Sequence, residues 1–119
     1  MSILSELAAT PGVVAAGQYT WRGDRYTFEG RLDPEHARMA SIMCRATTMA
    51  THMQARMLAS LPGGEGLDPP RGWFVCGATH SVCVLANVFC FIDNARTSPA
   101  TVLAAMTERL GEVRPEAMI

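Results

Sequence analysis

The sequence predicts an α+β domain, and three observations lead there. Pro34 to about Leu61 carries apolar residues at steps of three and four, the spacing of one helix face. Short segments before and after it alternate apolar with polar residues or read as compact apolar strands bounded by turn residues. Proline-glycine pairs at Pro11-Gly12 and Pro62-Gly63 separate these blocks. The predicted order is helix, two strands, long helix, three strands, helix.

Each element has its own local reason. Ser2 can cap a short helix through Ala9, with Ile3, Leu4 and Leu7 on one side. "GVVAAGQYTW" and "RYTFEGRL" read as a hairpin around Arg22-Gly23-Asp24, with Tyr26 and Phe28 alternating with Thr27 and Glu29. Asp33, Pro34 and Glu35 then supply a cap, a first-position proline and an acid in the first turn. Met39, Ile42, Met43, Ala46, Met49, Ala50, Met53, Met57 and Leu61 form the apolar stripe of the long helix. Arg38, Ser41, Arg45, Thr48, His52 and Arg56 lie opposite. Such a stripe is expected to pack on a sheet and still leave adaptable apolar surface for another helix.

After the loop "PGGEGLDPPR", the strands "GWFVCGA", "HSVCVLA" and "VFCFID" follow with short turns near Ala78-Thr79 and Ala86-Asn87. Asn87 tolerates the left-handed backbone that a two-residue hairpin needs. Ser98 caps the last helix, Pro99 begins it, and Val102, Leu103, Met106 and Leu110 give its stripe. The 119 residues suit one domain, with an ordered core of about 2–111 and a loose tail over 112–119.

Composition narrows the function classes. The net charge is -1 and hydrophobic residues make up 49%, which favours neither disorder nor bulk attraction to nucleic acid. All ten cations are arginine. Without lysine there is no P-loop lysine and no Schiff-base side chain. The N-terminal stretch lacks the features of a signal peptide, and no segment approaches the roughly 20 apolar residues of a membrane span. The expected compartment is the cytosol, where thiols stay reduced.

"CGATHSVCVLANVFC" brings Cys76, His80, Cys83 and Cys90 close in sequence. A two-residue turn at Ala86-Asn87 sets Cys83 opposite Cys90 on adjacent strands, where reduced packing as small hydrophobes is the expectation. Rigid strands do not let four ligands converge on zinc, and no CxxC pair exists. His80 is expected to face water from its turn. Cys44 reads as an exposed thiol beside Arg45, a cation that lowers thiol pKa. Cys44 and Cys83 are therefore the candidate reactive thiols of a sulfur-carrying or redox-sensing alternative. Arg38, Arg45 and Arg56 could meet an acidic partner, although a solvated helix face is the commoner explanation for them. The glycines Gly63, Gly64 and Gly66 lack the strand and helix of a phosphate loop, and Ser81 fits no nucleophile elbow. No catalytic residues, cofactor or metal site are predicted.

Two features favour association. "GWFVCGA" has no charge or proline to discourage edge pairing. The methionine stripe is soft and adaptable. Together they place a symmetric homodimer interface on Met39, Met43, Met49, Met53, Trp73, Phe74 and Val75.

The order of elements resembles the Roadblock / dynein light chain family from Ile3 to about Leu110. Pro11-Gly12-Val13-Val14-Ala15-Ala16-Gly17, Met43-Cys44, Gly72-Trp73, Ser81-Val82-Cys83-Val84 and Asn87-Val88 resemble a bacterial Roadblock-like branch of uncharacterised function. The resemblance implies an α/β sandwich, Roadblock/profilin-like, with a five-stranded antiparallel sheet between the long helix and two terminal helices. It implies dimers joined through the long helix and the third strand, and a scaffold role or regulation of a small Ras-like GTPase. A pocket between long helix and sheet for a small molecule is a third expectation.

Overall fold

The computed structural model describes residues 2–110. In chain order these form α1 (Ile3–Ala8), β1 (Val13–Tyr19), β2 (Tyr26–Gly30), α2 (Pro34–Ala59), β3 (Gly72–Cys76), β4 (His80–Leu85), β5 (Val88–Asp93) and α3 (Pro99–Leu110). The expected tail over 112–119 lies outside the described residues. The five strands make one antiparallel sheet in the order β2-β1-β5-β4-β3. The α+β class and the five-stranded antiparallel sheet are as the sequence and its resemblance implied.

Capping follows the sequence. Ser2 Oγ accepts from the Ser5 amide, Asp33 Oδ1 from the His36 amide and Ser98 Oγ from the Thr101 amide. Each satisfies a donor that a helix start leaves unpaired. The long helix ends at Ala59 with Ser60 as its cap, slightly short of Leu61. In the first hairpin Thr20 Oγ1 accepts from the amides of Asp24 and Arg25, and Gly23 takes φ +83°. Only glycine adopts that angle at little cost.

The β4–β5 turn differs from expectation. Ala86, not Asn87, carries the positive φ of 57°. Asn87 is fully buried and committed elsewhere: its Nδ2 donates to the Tyr19 carbonyl and its own carbonyl accepts from the Tyr19 amide. Those bonds stitch the turn to β1, so the left-handed residue is the small one beside it.

Alternation sorts side chains onto two sheet faces. Val13, Ala16, Cys83, Val88, Cys90 and Ile92 meet Leu4 and Leu7 of α1 and Val102, Met106 and Leu110 of α3. Tyr19, Val84 and Phe89 meet Ala40 and Cys44 of α2 on the other face, with Trp73, Val82 and Phe91 packed around them. Gly17 has no side chain because the Phe89 ring occupies that space. Cys83 sits opposite Cys90 as the turn arithmetic required, and all four cysteines are free.

Candidate interaction surface

The long helix is turned the other way from the sequence expectation. Its buried residues are Ala37, Ala40, Ser41, Cys44, Thr48 and Ala55. The large residues of the stripe, Met39, Ile42, Met43, Met49, Met53, Met57 and Leu61, are all exposed, Met53 at 68% and Met57 at 73%. The buried set recurs at helical spacing and lies opposite the stripe. Small side chains let the helix axis approach the sheet closely, whereas methionines there would hold it off.

Hydroxyls make this inward face chemically workable. The Ser41 hydroxyl donates to the Ala37 carbonyl at 2.8 Å. Thr48 Oγ1 lies 2.8 Å from both the Tyr19 hydroxyl, which donates to it, and the Trp73 indole N–H. The helix is thereby tied to β1 and to β3 through one oxygen. Burial pushes the Tyr19 phenol up to about 12, with the Thr48 bond pulling slightly the other way. Sequence reasoning placed Thr48 on the polar side and missed this role. Its spacing with Ala37, Ser41, Cys44 and Ala55 was the available signal.

Of the arginines offered to an acidic partner, Arg38 pairs with Glu35 on its own helix, and Arg45 Nε donates to the Trp21 carbonyl at 2.7 Å. His52 stacks edge-on against Trp21. These contacts hold the first hairpin against the flank of α2.

The strand β3 lies at the sheet edge, paired among the described residues with β4 alone. Trp73 is half-buried under α2, while Phe74 is 54% and Val75 is 55% exposed. Val75, Val82 and Phe91 face one another across β3, β4 and β5 on the α2 side, Val82 and Phe91 half-buried. Trp73, bonded to Thr48, is a partial exception; the other predicted interface residues fall on two exposed surfaces, the outer side of α2 and the open edge of the sheet.

The candidate thiols are placed differently from their expectation. Cys44 is buried, not exposed, and burial pushes its thiol up to about 12. Cys83 is fully buried and is pushed up to about 11 by burial, with neighbouring Cys76 adding to it. Cys90 rises to about 12 for the same main reason. Thiolates carry cysteine reactivity, and these sites oppose them. The exposed cysteine is Cys76, at the end of β3. His80 is exposed, its Nδ1 3.0 Å from the Thr79 hydroxyl.

Among the described residues, no group of three or more His, Cys, Asp or Glu side chains is arranged to hold a metal ion. The cleft between α2 and β3, bordered by Thr48, His52, Pro70 and Trp73, has no room for a water molecule. That is too little for the small-molecule pocket expected there. An opening of about 220 Å³ lies instead at the first hairpin, beside Gln18, Arg25 and Tyr26. Among the described residues no helix is long and apolar enough to cross a membrane.

Comparison with known proteins adds family and fold. A family model described as "Uncharacterized conserved protein (DUF2173)" matches residues 3–108. The chain belongs to the DUF2173 family. Among solved structures, this DUF2173 protein is similar to the Roadblock/LC7 domain from Streptomyces avermitilis. The TM-score is 0.65 at 19% identity, over 98% of this chain and 95% of that one. Its fold is thus Roadblock-like, as the element order implied. No curated protein matches the chain.

Proposed function

We propose that this DUF2173 protein is a homodimeric interaction module, a scaffold or regulator without catalysis of its own. The observation that carries the reading is the outward methionine face of α2 together with the position of β3 at the sheet edge. Exposed large apolar side chains gathered on one helix face mark a protein contact. Methionine suits it because its unbranched thioether adapts to an irregular partner. Met39, Met43, Met49 and Met53 supply the helix contacts, and Phe74 and Val75 supply the edge.

A second copy is the favoured occupant because a helix face and a strand edge on one molecule are both self-complementary across a two-fold axis. A further protein, with a small Ras-like GTPase as the candidate suggested by fold likeness alone, would then meet surfaces of the dimer. The cytosol is the compartment in which such a module would operate. Sedimentation equilibrium from 1 to 100 µM tests the reading. A species of twice the 12.8 kDa chain mass is expected, and a monomer throughout would refute it.

A further inference from the structure

The first hairpin carries polar side chains that the rest of the fold does not use. Gln18 pairs with Thr27 across β1 and β2, and the Thr20 amide donates to the Arg25 carbonyl at 2.9 Å. Side chains alternate along a strand and paired positions share a face. Gln18, Thr20, Arg25 and Thr27 therefore project from one side of the sheet. Ala16, two residues before Gln18, packs under α1 and α3 on that same side. The six residues of α1 rise about 9 Å, whereas β1 from Val13 to Tyr19 spans about 20 Å. The far end of the hairpin thus extends past α1. Among the described residues, the opening of about 220 Å³ found there is bordered by hairpin residues alone.

Two polar groups at this opening are already committed. The Tyr19 hydroxyl donates to Thr48 under α2, and the Thr20 hydroxyl donates to Asp24 Oδ1 at 2.7 Å. By contrast, the side chains of Gln18, Arg25 and Thr27 form no hydrogen bond or ion pair among the described residues.

Charge and size select what fits. Arg22 and Asp24 share the turn and offset each other. The Thr20 hydrogen bond holds the Asp24 carboxyl below the usual carboxylate range, so it stays ionised. Arg45 donates its Nε to the Trp21 carbonyl. One positive charge, on Arg25, is left over. A guanidinium meets a carboxylate through two parallel N–H bonds. A dianionic phosphate would set its second charge against Asp24. The volume falls short of the roughly 300 Å³ at which drug-sized pockets begin, so a single ring or a short chain fits. The stems of Gln18 and Arg25 and the threonine methyls give it apolar walls.

We propose that the hairpin opening is a binding site for a small monocarboxylate with an apolar body. Arg25 holds the carboxylate, and Gln18 and Thr27 steady it. The site lies on the face of the sheet away from α2, so it does not depend on self-association.

The test is an amide NMR titration of the ¹⁵N-labelled wild-type chain with phenylacetate and, separately, with hexanoate. The expected result for at least one of them is a set of shifts at residues 18–20 and 25–27 that saturates with a Kd of about 1 mM or tighter. Two controls, 2-phenylethylamine (the same ring with a cation) and inorganic phosphate, should leave those amides unmoved. Arg25→Gln should weaken the carboxylate at least about tenfold. Because Arg25 is exposed, the remainder of that variant's spectrum should match wild type. If the variant misfolds, the wild-type comparison of carboxylate against amine and phosphate decides. No shift at these amides with either carboxylate overturns the site. Equal binding of the amine or of phosphate, or undiminished binding by a folded Arg25→Gln chain, overturns the assignment of a monocarboxylate to Arg25.

Discussion

The two faces of α2 invert the usual division of labour in a surface helix. The side against the sheet is built of alanine, serine, cysteine and threonine, and the side turned away is built of methionine, isoleucine and leucine. Hydrophobic periodicity finds the helix correctly from either face, since both repeat every three to four residues. It does not say which face is inside. Volume decides that here: close approach to Phe89 and Val84 selects small side chains, and the larger apolar ones are left to face a partner.

That contrast can be broken from the outside first. M49E/M53E places two carboxylates in the outer stripe and is expected to weaken self-association at least a hundredfold, about 2.7 kcal/mol. The unfolding midpoint of the dilute chain should stay unchanged. Sedimentation and urea titration on the same sample separate the two effects. A fold that collapses instead would place the stripe in the core.

From the inside, Thr48→Val keeps the shape but removes the oxygen that serves Trp73 and Tyr19. A loss of about 2 kcal/mol is expected in urea unfolding. Trp73→Lys should damage the fold, since its indole N–H is bonded to Thr48 within the chain, and association as well, since it places a charge on the edge strand. Phe74→Lys should act on association alone, as Phe74 is exposed on the edge. Equal effects of these two lysines on monomer stability would contradict the placement of Trp73.

The inner face also sets a pH dependence. Cys44 and Cys90 keep their protons to about 12 in the fold against an ordinary 9.0, and Tyr19 to about 12 against 10.0. Above pH 9 the unfolded chain sheds protons that the folded chain retains, so the folded state binds more of them and stability falls with pH. The stabilisation is whole below pH 9 and is lost progressively as pH rises to about 12. Urea midpoints measured between pH 8 and 11 should decline steadily, and a flat profile would mean those groups are solvated. The smallest effect belongs to Arg38→Ala. Its exposed pair with Glu35 is screened by water, so the urea midpoint and the association should both stay unchanged.

Much of the fold was legible in the sequence because its punctuation is strong. Asp33-Pro34, Ser98-Pro99 and the glycine turns fix where elements begin and end, and the neutral "GWFVC" strand announced an edge. The orientation of α2 was not legible from large apolar residues, although the recurrence of Ala37, Ser41, Cys44, Thr48 and Ala55 encodes it. Cys44 was misplaced by the same error, since a residue assigned to the wrong side inherits the wrong solvent exposure. Ala86 was missed because Asn87 has the better intrinsic tolerance for the left-handed region. Its side chain is spent on Tyr19 instead.

The most direct measurement of the central claim is methionine oxidation by dilute hydrogen peroxide, read residue by residue by mass spectrometry as a function of protein concentration. Met106, fully buried between α3 and the sheet, is the internal reference. At high concentration Met39, Met43, Met49, Met53 and Met57 should be shielded relative to the dilute chain, where they should oxidise rapidly while Met106 stays slow. Rates independent of concentration, or α2 methionines as protected as Met106 in the dilute monomer, would contradict an outward face reserved for a second copy.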